Sequence, residues 1–131
     1  LAEMGATEIK LAARNAANAA ESIAQIAAHP ANPCVSLCGL DQVVDTELLV
    51  STIPAVAEKE IVVAAAAAIF EVVYDPWPTP LAELAQDRGW LLVDGLDLLS
   101  HQAVGQVRLM TGCDVDVEVM RSAGRAALQD R

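Results

Sequence analysis

The feature that most constrains the fold is the stretch from Phe70 to Gln102, FEVVYDPWPTPLAELAQDRGWLLVDGLDLLSHQ, where apolar runs alternate with turn residues. Phe70, Val72 and Val73 lead into Tyr74, and Pro76, Pro78 and Pro80 follow. A proline has no N–H to give to a sheet ladder, so a strand is expected to end near Tyr74. Thr79 before Pro80 reads as an N-cap with proline at the first helical position, where the missing N–H costs nothing. Glu83 falls in the first turn, where the helix dipole favours an anion, and Gly89 stops the helix after Arg88. Trp90 to Val93 is then a short apolar strand. Such a strand–helix–strand unit predicts a right-handed parallel crossover within an α/β sheet. Ligands of those sheets sit at the carboxyl ends of strands, which makes Tyr74, Asp75 and Asp94 to Asp97 candidates.

The chain opens on Leu1 to Met4 followed by Gly5, the pattern of a last helical turn and its terminating glycine. A strand is predicted over Glu8 to Ala13 and an alanine-rich helix over Ala16 to Ala28, ending before His29-Pro30. Helix tail, strand and helix is the order that follows the glycine-rich phosphate loop of a dinucleotide-binding fold. There the residue ending the second strand is an acid when it binds a ribose 2′-hydroxyl. Here the position reads Ala13-Arg14-Asn15. An arginine at that point accommodates a 2′-phosphate; equally, Arg14 could be a solvated side chain at a strand end. The fold class expected is α/β, a Rossmann-like doubly wound parallel sheet lacking its first strand and glycine-rich loop.

Further along, a strand is expected over Val35 to Cys38, a polar connector over Asp41 to Thr46, and a strand over Leu48 to Thr52 running into Ile53-Pro54. Ala57 to Ala67, with Glu58, Lys59 and Glu60 at its start, is predicted to be a helix that returns the chain to the Phe70 strand. Leu98, Leu99, Gln102, Ala103, Gln106 and Met110 share helical spacing, so Gln102 is expected within an apolar stripe, where a buried amide needs partners. A last amphipathic helix is predicted over Val117 to Leu128, followed by a polar tail.

Composition narrows the function classes. Eight Lys and Arg stand against 18 Asp and Glu, a net charge of −10 that would repel a nucleic-acid backbone. The apolar run from Ile61 to Phe70 is far shorter than the roughly 20 residues of a membrane span. Three cysteines, Cys34, Cys38 and Cys113, are an odd number, and a chain without a secretory signal is expected. Reduced thiols in a cytoplasm are therefore expected, and C-x3-C without nearby histidines lacks the paired spacing of a zinc site.

YDPWPTPL, from Tyr74 to Leu81, followed by DGLDLLSHQA, from Asp94 to Ala103, resembles the carboxy-terminal region of shikimate dehydrogenases. Their usual wording is close to Y-x-P-x-x-T-P-L and D-G-L-x-M-L-x-x-Q. The resemblance implies an NADP-dependent oxidoreductase that interconverts 3-dehydroshikimate and shikimate in chorismate and aromatic amino-acid biosynthesis. It implies substrate roles for Tyr74 and Gln102. It also implies that Gly95 meets the nicotinamide amide, that Val72 and Leu98 line the nicotinamide ring, and that Arg14 and Asn15 meet the adenosine phosphate. Ser51, Thr52 and Ile53 match in part a segment that runs along the cofactor. Leu98 replaces a methionine, a volume-matched swap, while Asp97 replaces a glycine. The family's catalytic lysine and aspartate belong to an amino-terminal domain outside these residues, and Lys10 and Lys59 do not sit in that motif. Residues 98–128 would pack toward that domain. The chain alone is thus expected to be inactive and prone to form a homo-oligomer. A quinate- or aminoshikimate-type dehydrogenase, or a non-catalytic binding module derived from the fold, is the alternative.

Overall fold

The computed structural model describes residues 1–129. They divide into two compact units, one formed by residues 1–43 with 60–62 and the other by residues 44–59 and from 63 onward.

In the first unit a single turn of 3-10 helix, Ala2–Met4, ends at Gly5 in the left-handed region (φ 94°). β1 (Glu8–Ala12) follows, with Ile9 and Leu11 half-buried and Glu8, Lys10 and Ala12 exposed. Asn15 then caps α1 (Ala16–Ala27), its side-chain oxygen accepting the Ala17 N–H at 3.0 Å. β2 (Cys34–Cys38) pairs with β1 in parallel, from Glu8 opposite Cys34 to Ala12 opposite Cys38, and α1 packs against β2. This β–α–β order agrees with the sequence expectation to within a residue or two.

The second unit holds a three-stranded sheet in the order β3-β4-β5, with β3 at Val43–Ser51, β4 at Val62–Glu71 and β5 at Leu91–Val93. β4 and β5 are parallel, with Ala68, Ile69 and Phe70 opposite Leu91, Leu92 and Val93. Between them runs α3 (Pro80–Arg88), which Thr79 caps by accepting the Ala82 N–H and which Gly89 ends in the left-handed region. Its inner face, Leu81, Ala82 and Ala85, is almost wholly buried, as is Ile69 of β4. α4 (Gly95–Thr111) starts at Asp94, whose carboxylate accepts the Asp97 N–H at 2.7 Å, and ends at Gly112. α5 (Val117–Gln129) packs against α4.

Three expectations are corrected here. The alanine run is strand, not helix: only α2 (Ala55–Glu58) is helical, and β4 takes Val62 onward. Alanine's helix preference is worth only tenths of a kcal/mol per residue. It is overridden by the β-branched and aromatic residues at both ends of the run and by ladder pairing to a strand on either side. The predicted connector at residues 41–46 is largely the start of β3, and the strand expected to reach Tyr74 ends at Glu71. The polar tail expected after Leu128 begins at Gln129, which still belongs to α5, and residues 130–131 lie outside the described residues.

Gly95 shows why the start of α4 must be glycine. A Cβ there would overlap the Val72 carbonyl oxygen and lie 2.6 Å from its carbon, so helix and strand exit approach backbone to backbone. Gly105, inside the same helix, has open space around it. Gly95→Ala should therefore lower stability by about 1–3 kcal/mol, whereas Gly105→Ala should raise it by about 0.5–1 kcal/mol; urea unfolding of the two variants checks the opposite signs.

Candidate functional site

The carboxyl ends of β3 and β4 are tied together by two buried carboxyl groups. Glu71, the last residue of β4, is fully buried, and Glu58, the last of α2, is 2% exposed. Glu71 accepts the Val73 N–H at 2.9 Å on one oxygen and the Thr79 hydroxyl at 3.4 Å on the other. Glu58 accepts the Ser51 hydroxyl and the Leu81 N–H, both at 3.1 Å. The Val72 N–H donates to the Ser51 carbonyl at 3.1 Å, continuing the link between the two strand ends. Four junctions thus meet at one polar cluster: the end of β3, α2, the exit of β4 and the start of α3. Burial pushes the Glu71 carboxyl up to about 7, and the hydrogen bond to Glu58 and its charge push the same way; the Val73 N–H and the Ser51 hydroxyl oppose them.

This pair was not among the sequence-predicted residues. The signal was a carboxylate between Phe70 and Val72 in an otherwise apolar strand, eight residues before a capping threonine. A charge so placed must find buried partners.

From Glu71 the chain runs through Tyr74 to Trp77, both about two-fifths exposed, and returns to the buried Thr79. Gly95, the first residue of α4, packs on the Val72–Val73 peptide, so the segment carrying Tyr74 and the start of α4 lie side by side. On the flank of α4 an open groove of about 410 Å³ is lined by Phe70, Val93, Leu98, Asp97, His101 and Arg121. Phe70 and Val93 face each other across the β4–β5 ladder. Arg121 of α5 crosses to Asp97, Nε to Oδ1 at 2.6 Å, and also pairs with Glu118.

The sequence-predicted residues divide. Tyr74, Val72, Gly95 and Leu98 come together around the β4 exit and the α4 start, and Leu98 lines the groove while Val72 does not. Thr52 is exposed and Ile53 half-buried after β3. Ser51 is buried, its hydroxyl engaged by Glu58, so it offers no free side chain to a ligand. Gln102 is exposed, which corrects its expected place in a buried stripe: α4 buries only Gly95, Leu96 and Ser100. Arg14 is exposed in the bend after β1, and the Asn15 side chain is the cap of α1. Among the described residues no group of three or more histidine, cysteine or acidic side chains could hold a metal ion, and no helix is long and apolar enough to cross a membrane.

Comparison with known proteins bears on this arrangement. Residues 95–123, the groove-flanking α4 and most of α5, match the family described as "Shikimate 5'-dehydrogenase C-terminal domain". The crystal structure of Mycobacterium tuberculosis shikimate dehydrogenase superposes on 95% of the chain with a TM-score of 0.76 and 36% identity. The chain resembles shikimate dehydrogenases. A shikimate 5-dehydrogenase from Mycobacterium fortuitum matches 94% of it with a TM-score of 0.74 and 29% identity. The NADP(+) shikimate dehydrogenase of Archaeoglobus fulgidus is 41% identical over 61 residues, 47% of the chain. The chain spans 49% and 48% of the two solved structures, and the aligned segment covers 23% of the archaeal relative. These likenesses bear out the Rossmann-like α/β fold class.

The buried carboxyl pair gives stability a defined pH dependence. Glu71 keeps its proton to about 7 in the folded chain against an ordinary 4.5, so between those values the folded state binds more protons than the unfolded one. Its contribution is fully present below the unfolded value and is lost as pH rises through the folded one. Glu71→Gln, which mimics the protonated acid, should gain stability relative to the parent between about pH 5 and about pH 8; urea midpoints at the two pH values, parent against variant, check the sign.

Proposed function

We propose that the chain is the cofactor-binding, carboxy-terminal part of an NADP-dependent shikimate dehydrogenase, which reduces 3-dehydroshikimate to shikimate. The observation that carries this reading is the likeness to the Mycobacterium tuberculosis enzyme over 95% of the chain, with the YDPWPTPL segment set against the start of α4. Bound NADPH would supply the hydride. The residues present fit such a group: Phe70, Val93 and Leu98 offer apolar walls on which a nicotinamide ring can lie flat, and the close-packed Gly95 leaves no side chain over the α4 start. Exposed Arg14 is free to meet a 2′-phosphate, while Asn15 serves that end by capping α1 behind it. Thr52 and Ile53 follow β3 where a cofactor would run, and Ser51 contributes its carbonyl and its tie to Glu58 rather than a ligand contact.

Tyr74 and Gln102, both exposed, are read as hydrogen-bonding partners of the substrate's hydroxyls. The proton exchanged at the reacting oxygen is assigned to a lysine and an aspartate outside these residues, so the chain by itself is read as inactive. Leu109, Met110 and Val119, all more than half exposed on α4 and α5, suit packing against a further domain or a second copy. A cytoplasmic setting fits the three free thiols.

In an enzyme that carries this chain as its carboxy-terminal part, Arg14→Ala should raise the KM for NADP about tenfold or more, a charge-assisted contact being worth about 1.5–3 kcal/mol, and leave NAD almost untouched. Equal losses with both cofactors would remove the 2′-phosphate role. Tyr74→Phe and Gln102→Ala should lower kcat/KM for shikimate with NADP affinity close to normal. Residues 1–131 alone should oxidise no shikimate and bind NADP no more tightly than about millimolar by calorimetry.

A further inference from the structure

Glu71 closes β4, the middle strand of its sheet, and is fully buried, so its carboxyl group is a fixed point in the second unit. One of its oxygens accepts the Val73 N–H at 2.9 Å and the other the Thr79 hydroxyl at 3.4 Å. These partners are the two ends of the segment that carries Tyr74, and within it Pro76 and Pro78 have no N–H with which to pair. Each end is held a second time. The Thr79 oxygen caps α3 by accepting the Ala82 N–H at 3.2 Å, and the Leu81 N–H donates to the buried Glu58 at 3.1 Å. At the other end the Val72 N–H donates to the Ser51 carbonyl, and the Val72–Val73 peptide lies under Gly95. Tyr74 comes one residue beyond Val73, and it is exposed.

We propose that Glu71 is a positioning residue for shikimate turnover: by holding Val73 and Thr79 it fixes the Tyr74 phenol where the substrate's hydroxyls are met. The proposal rests on the reading of Tyr74 as a substrate contact. Glu71 itself, closed to solvent, touches no substrate and acts only through the segment it holds. Without its two acceptors the Val72–Val73 peptide is freer to turn, and the long tyrosine side chain carries a small turn of the backbone into a larger displacement of its hydroxyl. Contacts that orient a substrate lose much of their effect when misplaced by about 1 Å.

In an enzyme that carries this chain as its carboxy-terminal part, Glu71→Leu keeps an apolar group of similar bulk and removes both acceptors. It should lower kcat/KM for shikimate about tenfold per folded enzyme and leave the KM for NADP within about twofold of the parent. The deciding measurement is a double-mutant cycle: in a Tyr74→Phe background, where the phenol hydroxyl is gone, Glu71→Leu should cost less than about twofold more. Thr79→Gly still suits a helix start but has no hydroxyl for Glu71, so it should lower kcat/KM as Glu71→Leu does, whereas Thr79→Ser should retain the parent value; these two variants read the same tie if Glu71→Leu does not fold. Full additivity in the cycle, or parent turnover in Thr79→Gly, would overturn the proposal while a costly Tyr74→Phe leaves the substrate reading of Tyr74 standing. A Tyr74→Phe enzyme that turns over shikimate like the parent would remove that reading and the positioning role with it.

Discussion

Two buried carboxyl groups that form no ion pair among the described residues set the terms for the second unit. An isolated buried charge costs several kcal/mol, so a carboxyl at the end of a central strand persists only where donors converge on it. At Glu71 and Glu58 those donors are two backbone N–H groups and two hydroxyls, drawn from the exit of β4, the start of α3 and the end of β3. No buried side-chain polar atom among the described residues is left without a partner. The pair thereby does what a backbone ladder cannot do once prolines have interrupted it: it closes the loop between strand and helix. Thr79 is used twice, giving its hydroxyl hydrogen to Glu71 while its oxygen caps α3.

The second constraint is steric. Gly95 lets the first turn of α4 rest on the Val72–Val73 peptide, so the position of that helix is set by the segment leaving β4. α5 has no buried residue and depends on what it meets on α4, including Leu96 against Gly124 and the Arg121–Asp97 pair. Asp97 thus has a structural use in this chain: it pairs with Arg121 of α5 at the rim of the groove. Partly exposed ion pairs of this kind contribute little alone, about 1 kcal/mol or less, but they set orientation.

Local signals were the legible part of the sequence. Thr79-Pro80 and Gly89 mark helix ends through capping chemistry that acts within a few residues, and the structure has those ends where that chemistry puts them. The alanine run misled because its fate depends on strands distant in sequence, which outweigh a weak intrinsic preference. Gln102 misled because helical spacing shows which residues share a face but not whether anything covers that face. Glu58 and Glu71 were overlooked because their partners, Ser51, Val73, Thr79 and Leu81, are brought together only by the fold.

The functional reading gathers these elements into one end of a sheet: a tyrosine segment held by a carboxyl pair, a helix start close-packed through glycine, and an apolar groove on its flank. Its most direct test is an amide NMR titration of the whole chain with NADP at millimolar concentration. Perturbations concentrated at Gly95 to Leu98, at Val72 to Tyr74 and at Arg14 are expected, and they should shrink at Arg14 when NAD replaces NADP. Shifts that are confined to other surfaces would contradict the reading of this chain as the cofactor-binding part of a shikimate dehydrogenase.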